Sequence, residues 1–85
     1  MDRYKKLGKK TEITGPEEAL LRAREYWPNV FQEGSTGPER TWWSRIGDET
    51  ALVAHHWQDY RSGKWYMRRA VDMNTIMWGD DYHNG

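Results

Sequence analysis

Apolar and polar residues alternate most regularly between Thr41 and Val71, in the runs TWWSRI (41–46), ALVAHHWQ (51–58) and KWYMRRAV (64–71). Each run is rich in aromatic and β-branched residues and is bounded by Gly-containing segments, the pattern of half-buried strands joined as hairpins. Gly47-Asp48-Glu49-Thr50 joins the first run to the second, and Arg61-Ser62-Gly63 suits a three-residue hairpin loop with Gly63 left-handed. That loop length sets Trp57 opposite Met67, His55 opposite Arg69 and Val53 opposite Val71. Side chains of a strand alternate between faces, so the register sorts the residues into two sets. One set holds Trp42, Ser44, Ile46, Ala51, Val53, His55, Trp57, Trp65, Met67, Arg69 and Val71. The other holds Trp43, Arg45, Leu52, Ala54, His56, Gln58, Tyr66, Arg68 and Ala70. The first set is the more apolar and is expected to face the core.

A helical period replaces the strand period upstream. Leu20, Ala23 and Trp27 fall at i, i+3, i+7 in a run of good helix formers from Glu17 to Trp27, and Glu18 and Arg22 can pair at i,i+4 on the wet side. Thr14-Gly15-Pro16-Glu17 fits a capping box with Pro16 in the first turn, and Pro28 disfavours helix at Trp27. Residues 28–40 read as a loop, with Val30 and Phe31 dipping into the core and Gly34 to Pro38 as its mobile part. Thr11 to Ile13 is either flexible or a short edge strand, and Ile76 to Trp78 a half-turn or an extended segment over a sheet edge. The expected architecture is α+β: one N-terminal helix packed on a three-stranded antiparallel β-meander (α-β-β-β), with a short C-terminal segment. It forms a single domain, 1–85, with flexible ends at 1–10 and 79–85.

Composition changes this picture in one respect. Only 36% of the 85 residues are hydrophobic, yet six Trp and five Tyr are present, so a few large rings must supply the buried area that aliphatics usually provide. There is no cysteine, hence no disulfide framework, and no run approaches the ~20 apolar residues of a membrane span. A cytoplasmic protein is the reading. Thirteen basic and thirteen acidic residues give zero net charge, which argues against a general polyanion binder. The basic residues Arg3, Lys5, Lys6, Lys9 and Lys10 gather at the N-terminus, while three aspartates lie within 72–85.

Candidate chemistry is sparse. His55 and His56 are strand neighbours, so they point to opposite faces and cannot share a metal. Asp80, Asp81 and His83 have metal-ligand chemistry but sit in a glycine-flanked tail, and Ser44 near His55 reads as a hydroxyl and imidazole satisfying one another. No phosphate-binding glycine loop and no paired carboxylates on a rigid element occur, so no catalytic residue, metal or cofactor is expected and the chain is read as a non-enzyme. The informative group is Trp43, Arg45, His56, Tyr66 and Arg68, an aromatic and cationic surface of the kind that dominates protein interfaces. The helix-then-three-strands order is similar to the start of a double-stranded-RNA-binding domain, although a short acidic end stands where that family has a basic helix. As a class, the chain resembles the small cysteine-free proteins that phages and mobile elements use to inhibit host defence complexes, anti-CRISPR proteins among them. The function expected is a small protein-binding module, of the phage-inhibitor type, that occludes a protein partner as a monomer or homodimer. The alternative is single-stranded nucleic-acid binding on the same face, with Lys5, Lys6, Lys9 and Lys10 along phosphates.

Overall fold

The computed structural model describes residues 3–32 and 40–78. A 3-10 turn, Lys5–Leu7, leads into strand β1 (Thr11–Ile13), the helix α1 (Pro16–Tyr26) and strand β2 (Phe31–Gln32). Strands β3 (Arg40–Ile46), β4 (Glu49–Gln58), β5 (Trp65–Arg69) and β6 (Met77–Trp78) follow. All six strands belong to one antiparallel sheet of order β1-β5-β4-β3-β2, with β6 paired to β4. This corrects the expected α-β-β-β arrangement: the fold is β-rich, and its one described α-helix packs on a sheet of six strands where a meander of three was expected. The additional strands are only two or three residues long. Such strands are too short to display a period of two; Thr11–Ile13 is the short edge strand that was one of its two expected readings and Met77–Trp78 is extended, whereas β2 falls where a loop was expected.

Each short strand covers an edge. β1 pairs β5, with Thr11 opposite Met67 and Ile13 opposite Trp65, and β2 pairs the far side of β3. The outer meander strands are therefore covered over part of their length, which shortens the unpaired backbone that would invite other chains. β6 lies in line with β5 along the same side of β4. The chain leaves β5 at Ala70, whose N–H donates to the Val53 carbonyl (2.8 Å), and returns after an excursion over residues 71–76 to place Met77 opposite Leu52. Asp72 and Thr75 brace that excursion: Asn74 N–H donates to Asp72 Oδ1 (2.9 Å) and Val71 N–H to Thr75 Oγ1 (3.1 Å).

Helix α1 starts at Pro16, with Gly15 at its N-cap and Trp27 at its C-cap. The side chain that closes its N-terminus is Glu18, one residue beyond the expected Glu17. Glu18 Oε1 accepts from both the backbone N–H (2.9 Å) and the hydroxyl (3.0 Å) of Thr14, while its other oxygen pairs with Arg22 at 2.6 Å. Ala19 and Ala23 are fully buried, and the absence of larger side chains there lets the helix lie close on β4 and β5. At the far end Trp27 Nε1 donates to the Ala70 carbonyl (2.9 Å). Arg69 reaches up from β5 to the Arg22 carbonyl (2.8 Å) and Glu25 (3.5 Å), its guanidinium lying over the Tyr26 ring. Val30 is buried as expected, whereas Phe31 is an exposed member of β2. Tyr4 and Leu7, from the N-terminal segment, are also buried.

The register departs from expectation in two places. Trp42 pairs with Ala54 but Trp43 with Leu52, leaving Val53 as an extra residue in β4, a bulge. The second hairpin then sets His56 opposite Met67 and Trp57 opposite Tyr66, one residue from the expected alignment. Its cause is Asp59. The Asp59 carboxylate accepts from the Arg61 N–H (3.0 Å) and the Ser62 hydroxyl (3.1 Å), which starts the turn one residue early and closes the hairpin by an Asp59 N–H to Lys64 carbonyl bond (2.8 Å). The loop is thus Tyr60 to Gly63, with Gly63 at φ 75°.

The two irregularities cancel over β5, so Trp65, Met67 and Arg69 do lie on the side of α1. Ala54 to Gln58 are inverted: Ala54 and His56 lie with the helix, and His55 with Trp57 on the opposite face. Because Gly63 holds a left-handed conformation with open space where a Cβ would project, Gly63→Ala is expected to cost about 1 kcal/mol, from backbone strain alone. A urea-unfolding midpoint lowered without a change in slope checks this.

Candidate functional site

Two aromatic constellations form on opposite sides of β4. On the side of α1, His56 sits on the central strand with Trp42 on one flanking strand and Trp65 on the other, at ring-centroid distances of 5.6 and 5.8 Å. Trp42 Nε1 donates to His56 Nδ1 at 2.8 Å, so the neutral imidazole carries its proton on Nε2. His56 is only 1% exposed. Burial foremost, and then the charges of His55 and Arg40, push its pKa from 6.5 down to about 4.

On the other side, Tyr4 stacks on His55 at 3.8 Å, His55 on Trp57 at 5.0 Å, and Trp57 leans on Tyr66 at 5.9 Å. Lys10 Nζ lies 4.7 Å from the centroid of the Tyr66 ring. Arg68 Nη1 donates to the Gly8 carbonyl at 2.6 Å, fastening the N-terminal segment along β5. Tyr4 and His55 are buried in this row, while Trp57 and Tyr66 are half-buried, each with a ring or a cation against it.

Of the five residues singled out in the sequence, Trp43, Tyr66, Arg68 and Arg45 share this second face. Trp43 donates its indole N–H to Thr41 Oγ1 (3.1 Å), two residues back on the same side of β3, and Thr41 pairs with His55. Arg45 follows by alternation and is exposed. His56 does not belong with them; it is buried beneath α1. In its place the second face receives His55 and Trp57. The signal for these was Asp59, whose turn-forming side chain announced a longer loop. Ser44 pairs with Ala51 and not with His55, because the turn at Gly47-Asp48 sets Ile46 opposite Glu49; His55 pairs with Thr41, on the other face. Gly34 to Pro38, Asp80, Asp81 and His83 lie outside the described residues.

Among the described residues, no group of three or more His, Asp or Glu side chains is placed to hold a metal ion. No described helix is long and apolar enough to cross a membrane. Comparison with protein-family models, with curated proteins and with solved structures finds no match, so the functional reading rests on geometry alone.

The lowered His56 pKa sets a pH dependence of known sign. Between pH 4 and 6.5 the unfolded chain binds a proton at this residue that the native state refuses, so stability rises with pH across that window. The contribution is fully present above about pH 6.5, is lost as pH falls towards 4, and amounts to about 3 kcal/mol. Hydrogen bonds hold the carboxyls of Glu18 and Asp59 below their usual values, Thr14 foremost for the one and Arg61 for the other. Their contribution fades only at lower pH, as the carboxylates themselves protonate. Urea midpoints between pH 7 and 4.5 should therefore fall in the native protein and change much less in His56→Gln, where an amide oxygen can still accept from Trp42. An equal fall in both proteins would place the titrating group elsewhere.

Proposed function

We propose that the chain is a non-enzymatic protein-binding module that acts by covering part of a partner's surface with the sheet face opposite α1. The observation that carries this reading is the condition of the aromatic row on that face. Tyr4, His55, Trp57 and Tyr66 already use their flat faces on each other and on Lys10. A single-stranded nucleic acid binds such proteins by laying bases flat on free rings, with basic side chains along its phosphates. Here a base would have to displace Lys10 or part the stack, and the chain carries no net positive charge to draw a polyanion in. The half-buried Trp43, Trp57 and Tyr66, with the exposed Arg45 farther along the same face, instead suit a protein surface, where Tyr, Trp and Arg bury much area at small entropic cost.

The steric mode of action matches the small inhibitors that the chain resembles as a class. It requires no catalytic group, and the role of the face is to exclude whatever else would occupy the partner.

Arg45 and Tyr66 are the positions to change, because Arg68 also anchors the Gly8 carbonyl and its loss would disturb the N-terminal segment. With a partner captured from the native host and purified, Arg45→Glu and Tyr66→Ala are expected to weaken the complex at least about tenfold while leaving the melting temperature nearly unchanged. Undiminished affinity in both variants would show that the partner uses another surface. Strong quenching of tryptophan fluorescence by a single-stranded oligonucleotide, falling steeply with salt, would favour the nucleic-acid reading instead.

A further inference from the structure

The side of the sheet that carries α1 holds a cleft of about 380 Å³ that the protein-binding face does not use. Its walls are apolar: Trp42 and Trp65 from the sheet, Leu20 and Pro16 from the first turns of the helix. The other half of its lining is polar and of mixed sign. His56 lines it from β4, Arg40 and Gln32 from β3 and β2, and Glu17 from the helix. The volume is at the small end of the ~300–1,000 Å³ of small-molecule sites, and the mixture of aromatic walls with a few convergent polar groups is typical of them.

His56 gives the cleft its chemistry. The residue is 99% buried by its 1% exposure, and its Nδ1 is taken by the Trp42 indole N–H. The tautomer is thereby fixed, and the remaining ring nitrogen is an N–H donor. Burial keeps the ring neutral at physiological pH, so the donor carries no full charge. A cationic ligand would meet Arg40 and a donor that offers it no lone pair. A strongly anionic one would meet Glu17. An uncharged ligand with an acceptor atom in a planar ring meets neither penalty: the acceptor takes the His56 Nε2–H, a ring amino group can face Glu17 or the Gln32 amide oxygen, and the ring body lies against the indoles.

We propose that this cleft is a binding site for a neutral planar heteroaromatic molecule of the purine type, held between Trp42 and Trp65 and oriented by the Nε2–H of His56. The site is independent of the protein-binding face, since β4 separates the two. His55 and Trp57 report on one side, His56 and Trp42 on the other.

The test is a titration of the full chain with adenosine, followed in ¹H–¹⁵N spectra of the tryptophan indole and histidine ring signals. Saturable shifts in the millimolar range or tighter are expected at Trp42, Trp65 and His56, with Trp57 and His55 unmoved. Trp65→Ala should weaken the affinity about tenfold or more, by loss of stacking. Leu20→Trp, which fills the cleft from the half-buried helix side, should abolish the shifts in a protein that still melts cooperatively. Tetramethylammonium and benzoate should neither bind nor compete. Absence of shifts with adenosine, shifts that persist in the Leu20→Trp protein, or binding of either charged probe at the same signals would overturn the proposal. None of these results depends on whether a protein partner binds the other face.

Discussion

β4 is hydrogen-bonded along both edges, and the rest of the structure depends on how its side chains are divided between two layers. A strand so enclosed cannot rotate, so each side chain is committed to one face, and a displacement by one residue exchanges the faces. The exchange happens once, at Val53, between the pairs Trp42 with Ala54 and Trp43 with Leu52. The Val53 carbonyl meanwhile accepts from Ala70, at the point where β5 gives way to the excursion that leads to β6. The bulge and the break in the neighbouring strand therefore occupy the same level of the sheet, and each accommodates the other.

Alternation separates the two histidines, and that one exchange decides which face each takes. His56 turns towards α1, accepts from the Trp42 indole and is held neutral. His55 turns the other way and stacks with Tyr4 and Trp57. Two adjacent residues of one type thus end in two aromatic settings: one row whose ring faces are already taken, and one cleft with room beside its rings. The first lies on the face proposed to meet a protein partner. The second suits a small ring that meets flat indoles and a single fixed donor.

The sequence made much of this visible. The helix and the three longer strands follow from the periods of their apolar residues, Pro28 from its effect on the residue before it, and the separation of His55 from His56 from simple alternation. The assignment of Trp42, Trp65, Met67 and Arg69 to the helix side also stands, since the bulge and the longer hairpin loop shift the alignment in opposite senses. What pattern could not supply lies in single residues. Val53 is an ordinary strand former, and nothing local marks it as a bulge; only the pairing on both sides of β4 forces it. Asp59 did carry a signal, as a residue whose side chain closes a turn two residues on, and reading it sets Ala54 to Gln58 in the observed register with β5. The two- and three-residue strands β1, β2 and β6 depend on tertiary pairing and leave no periodic trace. Nor does the sheet-covering role of Tyr4 and Leu7, which sit among lysines in a segment that looks polar.

The inversion of Ala54 to Gln58 is the feature on which both proposed surfaces stand, and nuclear Overhauser contacts of these side chains test it most directly. The account predicts contacts from the Trp42 indole N–H to the His56 ring and from the Tyr4 ring to the His55 ring, with Trp57 aligned on Tyr66 across the hairpin. Contacts from Trp42 to the His55 ring, together with Trp57 aligned on Met67, would contradict it.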